Sequence, residues 1–190
     1  MTEPASTKLA HGLHASSRMM RATLFSLFVT VLFSTSVFAQ DRGGFTALVD
    51  LGAGVQNDSS IEETAVGLAG LSFGAGAFLN ENLAVMFRLA GTRVTYDLNG
   101  FDYGQSSGFF GPSLQYWLSD RVNVETGAGW GFWRGDTDED NTGFGLLLGA
   151  GVSVFNRGKH NLQVGVQYAP AFTDPGTVHN FGFTFGYQFQ

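Results

Sequence analysis

Phe181-Gly182-Phe183-Thr184-Phe185-Gly186-Tyr187-Gln188-Phe189 is the stretch that decides the fold. Every odd position is aromatic and every even one is Gly, Thr or Gln, so the two faces of an extended chain differ completely in character. A helix would scatter these five rings around its circumference. A strand gathers them on one side.

Upstream, the same period of 2 recurs seven more times. Phe45, Ala47, Val49, Leu51, Ala53 and Val55 alternate with Thr46, Leu48, Asp50, Gly52, Gly54 and Gln56. Ala69, Leu71, Phe73, Ala75 and Ala77 alternate with Gly70, Ser72, Gly74 and Gly76. Further alternating segments cover residues 83–90, 110–117, 122–132, 144–154 and 162–169. Polar stretches near 57–64, 98–106, 134–142 and 173–180 read as longer connections, and those near 79–82, 118–121 and 156–160 as tight turns. The pattern predicts an all-β, eight-stranded antiparallel up-and-down barrel with two unlike ends, whose strands are long enough to cross a membrane.

Composition says which face meets what. The 190-residue chain is 44% apolar with 27 Gly and 19 Phe, while Asp, Glu, Lys and Arg make up 14%, against ~25% in water-soluble domains. A soluble barrel would carry its charges on the outer face. The charges read within these strand cores are Asp50, Arg88 and Glu125, all on the Gly-rich face. The bulky apolar face therefore points to lipid, and the small and polar one into a lumen that eight strands leave just wide enough for side chains. Aromatics gather at strand ends as two girdles: Phe45, Tyr116, Trp117, Phe155, Tyr187 and Phe189 at the short-turn end, and Tyr96, Phe109, Trp133, Phe144, Phe172 and Phe181 at the other.

Residues 1–39 read as a signal peptide, with residues 1–17 an over-extended start. Arg18 and Arg21 precede an apolar run from Leu24 to Phe33, and Val37-Phe38-Ala39 supplies small residues at the two cleavage positions, placing the cut before Gln40. The run is too short for a spanning helix. Residues 40–190 form the barrel domain, with no further domain expected after the last strand. Removing Glu3, Lys8, Arg18 and Arg21 takes a net +2 from a chain of net charge −6, leaving −8. A single Lys after residue 40 and that acidic balance argue against nucleic acid as a partner. The absence of Cys removes disulfides, thiolate metal sites and thiol catalysis.

The turns Leu79-Asn80-Glu81-Asn82-Leu83 and Leu118-Ser119-Asp120-Arg121-Val122, together with the closing FGFTFGYQF, resemble the small OmpA/OmpX-type outer-membrane β-barrel family. The likeness covers nearly all of residues 44–190. It implies a bacterial outer-membrane location, termini in the periplasm, contact with outer-membrane lipid and lipopolysaccharide, and delivery by the barrel-assembly machinery through Phe185, Tyr187 and Phe189. Gln190 departs from the family's aromatic terminus.

Asp50, Arg88 and Glu125 lie at similar depth, with Gln115, Gln163 and Gln167 on the same inner surface. They are expected to form a paired polar network that fills the lumen, because a buried charge is tolerable only when compensated. The other reading is a polar track for a small ion. Asp136, Asp138 and Asp140 open a run like a calcium loop, but the sixth position lacks Gly and the twelfth is Leu147. Weak divalent-ion binding is the most that run implies. Ten acids in the longer connections, against Arg134 as nearly their only base, mark that end as the outer one. Of the histidines left after processing, His160 and His179 sit at opposite ends and neither has a Ser two residues on, so the pattern of lipid-deacylating barrels is missing and no enzyme is expected. The sequence thus points to a monomeric outer-membrane barrel with a structural or surface-interaction role, no cofactor and no metal. The alternative is a small-solute or ion channel, with a lipid-modifying enzyme less well supported.

Overall fold

The computed structural model describes residues 42–59, 63–98, 101–135, 140–174 and 176–190. Among the described residues nine strands follow one another: β1 (Gly44–Asp58), β2 (Glu63–Asn80), β3 (Leu83–Leu98), β4 (Phe101–Trp117), β5 (Val122–Gly135), β6 (Asp140–Arg157), β7 (His160–Tyr168), β8 (Ala171–Phe172) and β9 (Thr177–Phe189). From β1 to β7 each pairs antiparallel with the next. β9 then returns to β1, from Ala47 opposite Phe189 to Asp58 opposite Val178, which closes the sheet on itself.

The expected eighth strand pair is thus divided differently. β7 and the two-residue β8 lie between the same neighbours, β6 and β9. Pro170 has no N–H to give a ladder, so pairing breaks there. The chain nonetheless stays in line: Leu146 donates its N–H to the Pro170 carbonyl at 3.1 Å, and Ala169 donates to Asn180 at 2.9 Å.

The tight turns behave as their residues suggest. Asn80 Oδ1 accepts the backbone N–H groups of Asn82 and Leu83 at 2.9 Å each, and Ser119 Oγ accepts those of Arg121 and Val122. Such side-chain acceptors replace ladder bonds at a reversal. Gly158 takes φ +59° in the third turn, where a Cβ would be strained.

The opposite end differs from expectation. Pairing continues out to Asp58 with Glu63, Leu98 with Phe101, Arg134 with Asp140 and Phe172 with Thr177. The stretches expected as connections of seven to nine residues are mostly strand. Polar residues there hid the strands because a backbone ladder needs no apolar side chains once the register is set further down.

The alternation of faces holds along most of the sheet and shifts in β6, where a bulge between Ser153 and Phe155 leaves Val154 and Phe155 both exposed, and in β2. Asp50 faces Ser72, but Gly52 faces Ala69, so β2 carries an extra residue at a bulge. Ala69, expected on the lipid face, is therefore buried inside, and Val66 and Leu68 take the outer face at 74% and 72% exposed. Two girdle assignments also change. Phe109 and Trp117 share the parity of Gly111, Ser113 and Gln115, and both are buried inside the barrel. Trp133 is half-buried, and the side chain of Tyr96 lies outside the described residues. Phe45, Tyr116, Phe155, Tyr187, Phe144, Phe172 and Phe181 stand exposed on the outer wall, and Phe189 is half-exposed.

Candidate functional site

The lumen holds the chemistry. At mid-height Arg88, 3% exposed, reaches from β3 to two other strands. Its Nη2 donates to Asp50 Oδ2 at 3.0 Å, and its Nε lies 3.1 Å from Glu125 Oε1 as an ion-pair contact. Ser113 donates to the same Glu125 oxygen at 2.6 Å. One cation thus compensates two carboxylates that would be costly alone in a low dielectric. Two glycines make the approach possible: a Cβ on Gly74 would run into the Arg88 side chain, and one on Gly186 into the Asp50 carboxylate. The cavity beside this cluster is about 30 Å³ and is also lined by Gln115, Asn123, Gln163 and Gln167. That is the volume of about one water molecule.

Toward the chain termini an amide layer follows. Gln188 donates to Gln115 at 2.7 Å and to Thr46 at 3.1 Å, and Asn123 donates to Gln163 at 3.0 Å. All six residues expected in the network therefore face one lumen. Asp50, Arg88 and Glu125 meet directly, Gln115 and Gln163 join through Asn123 and Gln188, and Gln167 lines the cavity wall. Interleaved with the amides is an apolar layer of Leu48, Phe78, Ala84, Met86 and Trp117, with Leu48 opposite Gln188 and Ala84 opposite Gln115 in the register.

Arg42, which sequence reasoning missed, covers that layer from below. Its guanidinium sits 4.1 Å from the centre of the Trp117 ring, within cation–π range. It donates to the Asp120 carbonyl at 2.9 Å and to Gln190 Oε1 at 3.2 Å. Burial lowers its pKa from the ordinary guanidinium value, and Asp120 and Glu81 oppose that shift. Gln190, the departure from the family's terminus, is thus a buried partner of Arg42, while Phe185 and Tyr187 point outward from the same strand.

Above the charged cluster the lumen turns apolar again, with Ala90, Phe109, Leu147 and Ala169 in contact. The Phe109 ring lies over Gly111, Gly127 and Gly129, where any Cβ would crowd it at 3.0–3.2 Å. Higher still, Gln105 donates to Asp58 at 2.9 Å, and Ser107 donates to Asn180 at 2.8 Å. Asp58 is therefore a lumenal acid and not a loop acid. The available signal was its parity with Asp50 and Gln56.

Asp136 and Asp138 lie outside the described residues. Asp140, third of the calcium-like run, is held by Arg134 through two hydrogen bonds of 2.7 and 2.8 Å. Among the described residues no group of three or more metal-ligating side chains converges. His160 Nδ1 lies 2.6 Å from the Tyr187 hydroxyl and His179 Nδ1 lies 2.7 Å from that of Tyr168. Their partners in the β1–β9 and β7–β9 ladders place them at opposite ends of β9.

Comparison with known proteins agrees with this architecture. Among solved structures, Neisserial surface protein A superposes with a TM-score of 0.55 at 20% identity, over 77% of this chain and 96% of that one. The attachment invasion locus protein Ail of Yersinia pestis gives 0.50 at 16% identity, over 77% and 99%. At these identities the likeness is one of fold. No curated protein matches the chain. The family model described as "Outer membrane protein beta-barrel domain" matches residues 25–189. With that match spanning most of its length, the chain belongs to the outer membrane β-barrel family and is a transmembrane barrel of the bacterial outer membrane.

Proposed function

We propose that the protein is an eight-staved barrel, β7 and β8 forming one stave, that works as a closed body in the outer membrane with a structural or surface-interaction role. The carrying observation is the Arg88–Asp50–Glu125 cluster beside a cavity of about 30 Å³. A hydrated ion needs a continuous wider path, and here three charged side chains and two apolar layers occupy the lumen in turn. The termini face the periplasm, where Arg42 and Gln190 close the mouth. The mature chain begins at Gln40, which N-terminal sequencing checks. Its role, in this reading, involves no turnover of lipid or other substrate.

The decisive test is conductance of refolded protein in planar lipid bilayers. A quiet membrane is expected at protein levels that insert many copies. Reproducible ohmic steps from the unmodified barrel would overturn the closed-body reading in favour of a channel.

A further inference from the structure

The outer wall carries a second charged feature, at the edge of its apolar band. On β5 the outward residues Val122, Val124, Thr126, Ala128, Trp130 and Phe132 precede Arg134. At ~3.3 Å per residue and a tilt of ~40° residues 122–132 cover about 25 Å along the membrane normal, matching the ~25 Å apolar band of such barrels. Arg134 comes next. In the sheet register it faces Ser106, and Ser106 faces Arg93, so the two arginines flank one serine in a single outward row. With strands ~4.8 Å apart, their backbones stand about 10 Å apart. Arg93 is exposed and makes no ion pair or hydrogen bond among the described residues.

The row borders a groove of about 740 Å³ on β3–β6, floored by Leu89, Phe110, Trp130 and Phe132 and reaching Asp140 on β6. A smaller hollow of about 140 Å³ adjoins it at Gly91, where no side chain fills the wall. The Phe110 and Trp130 rings stand 6.1 Å apart and make the floor of the groove aromatic. Two guanidinium groups above an apolar cleft at the lipid boundary complement one kind of ligand: phosphate groups at the headgroup level and acyl chains beneath.

The geometry points to a binding site on the wall of β3–β6 for a phosphorylated outer-leaflet glycolipid of the lipopolysaccharide type, with Arg93 and Arg134 taking its phosphates and Trp130 and Phe110 its acyl chains. The site requires the outer-membrane location but not the closed lumen, so its failure leaves the conductance result standing. Asp140 is the opposing group, since it occupies Arg134 and repels phosphate.

The test is titration of refolded barrel in neutral detergent micelles with purified lipopolysaccharide, its dephosphorylated form, and sodium phosphate, read by Trp emission with Trp130 in the groove. A saturable response to intact lipopolysaccharide is expected, at least tenfold tighter than to the dephosphorylated form, with sodium phosphate silent at matched concentration. R93Q/R134Q should weaken it tenfold or more, R93K/R134K less, and Asp140→Asn should tighten it severalfold. All these side chains are exposed, and circular dichroism confirms that each variant is folded. Equal affinity for both lipid forms, wild-type binding by R93Q/R134Q, or an equal response to phosphate alone would overturn the site.

Discussion

Arg88 and Arg93 lie five residues apart on one strand and face opposite ways. Arg88 is sealed in the lumen between Asp50 and Glu125, and Arg93 stands on the outer wall beside an aromatic groove. The period of 2 alone puts one inside and one outside. Identical side chains thus acquire opposite tasks. Inside, the guanidinium has exchanged water for two carboxylates, and the fold depends on that exchange being complete. Outside, at the lipid boundary, the charge keeps access to water and headgroups, so removing it should alter what the barrel binds far more than whether it stands.

The largest effect should come from breaking the inner arrangement. Arg88→Met leaves two carboxylates uncompensated in the lumen and should cost about 3–5 kcal/mol, the range for removing one partner of a buried ion pair. Urea unfolding in micelles reads it. The comparison sharpens with R88M/D50N/E125Q, which removes every charge of the cluster and should recover most of that loss. A single variant as stable as the wild type would mean that Asp50 and Glu125 do not need their cation.

Next in size is Phe109→Ala. Its ring occupies space that Gly111, Gly127 and Gly129 leave open, and emptying it should cost about 3 kcal/mol, within the range for buried aromatic truncations. A negligible change in the unfolding midpoint would show that the apolar layer repacks and that the lumen is not close-packed there.

Much of this was legible in the sequence. The last strand's strict alternation separated the two faces, the scarcity and placement of charges said which one meets lipid, and the same parity placed Asp50, Arg88 and Glu125 together. Three things were not legible. The bulge in β2 turned Ala69 inward because periodicity counts residues and cannot see an extra one on a single strand. The strand extensions beyond residues 57, 98 and 134 looked like loops, since Gly, Ser, Asp and Asn form ladders there without an apolar face. Arg42 lay outside any periodic segment, and its place over Trp117 exists only once the sheet has closed. Phe109 was different: its parity with Gly111 was readable, yet its being aromatic drew it to the girdle.

The smallest effect distinguishes the two arginines most sharply. Replacing a lipid-facing Arg by Leu reports depth, because Arg costs about 2–4 kcal/mol at the bilayer midplane and about 0–1 kcal/mol near the interface. If Arg93 marks the upper edge of the apolar band, Arg93→Leu should change unfolding stability by less than about 1 kcal/mol in phospholipid vesicles, while still weakening glycolipid binding. Leu68, its cross-strand neighbour, is exposed and apolar, so the row lies where the wall changes from hydrocarbon to headgroup. Stabilisation of 2 kcal/mol or more would sink the residue into the hydrocarbon. Arg93 would then be an unpaired charge in lipid, and the contrast with Arg88 would be one of cost instead of function.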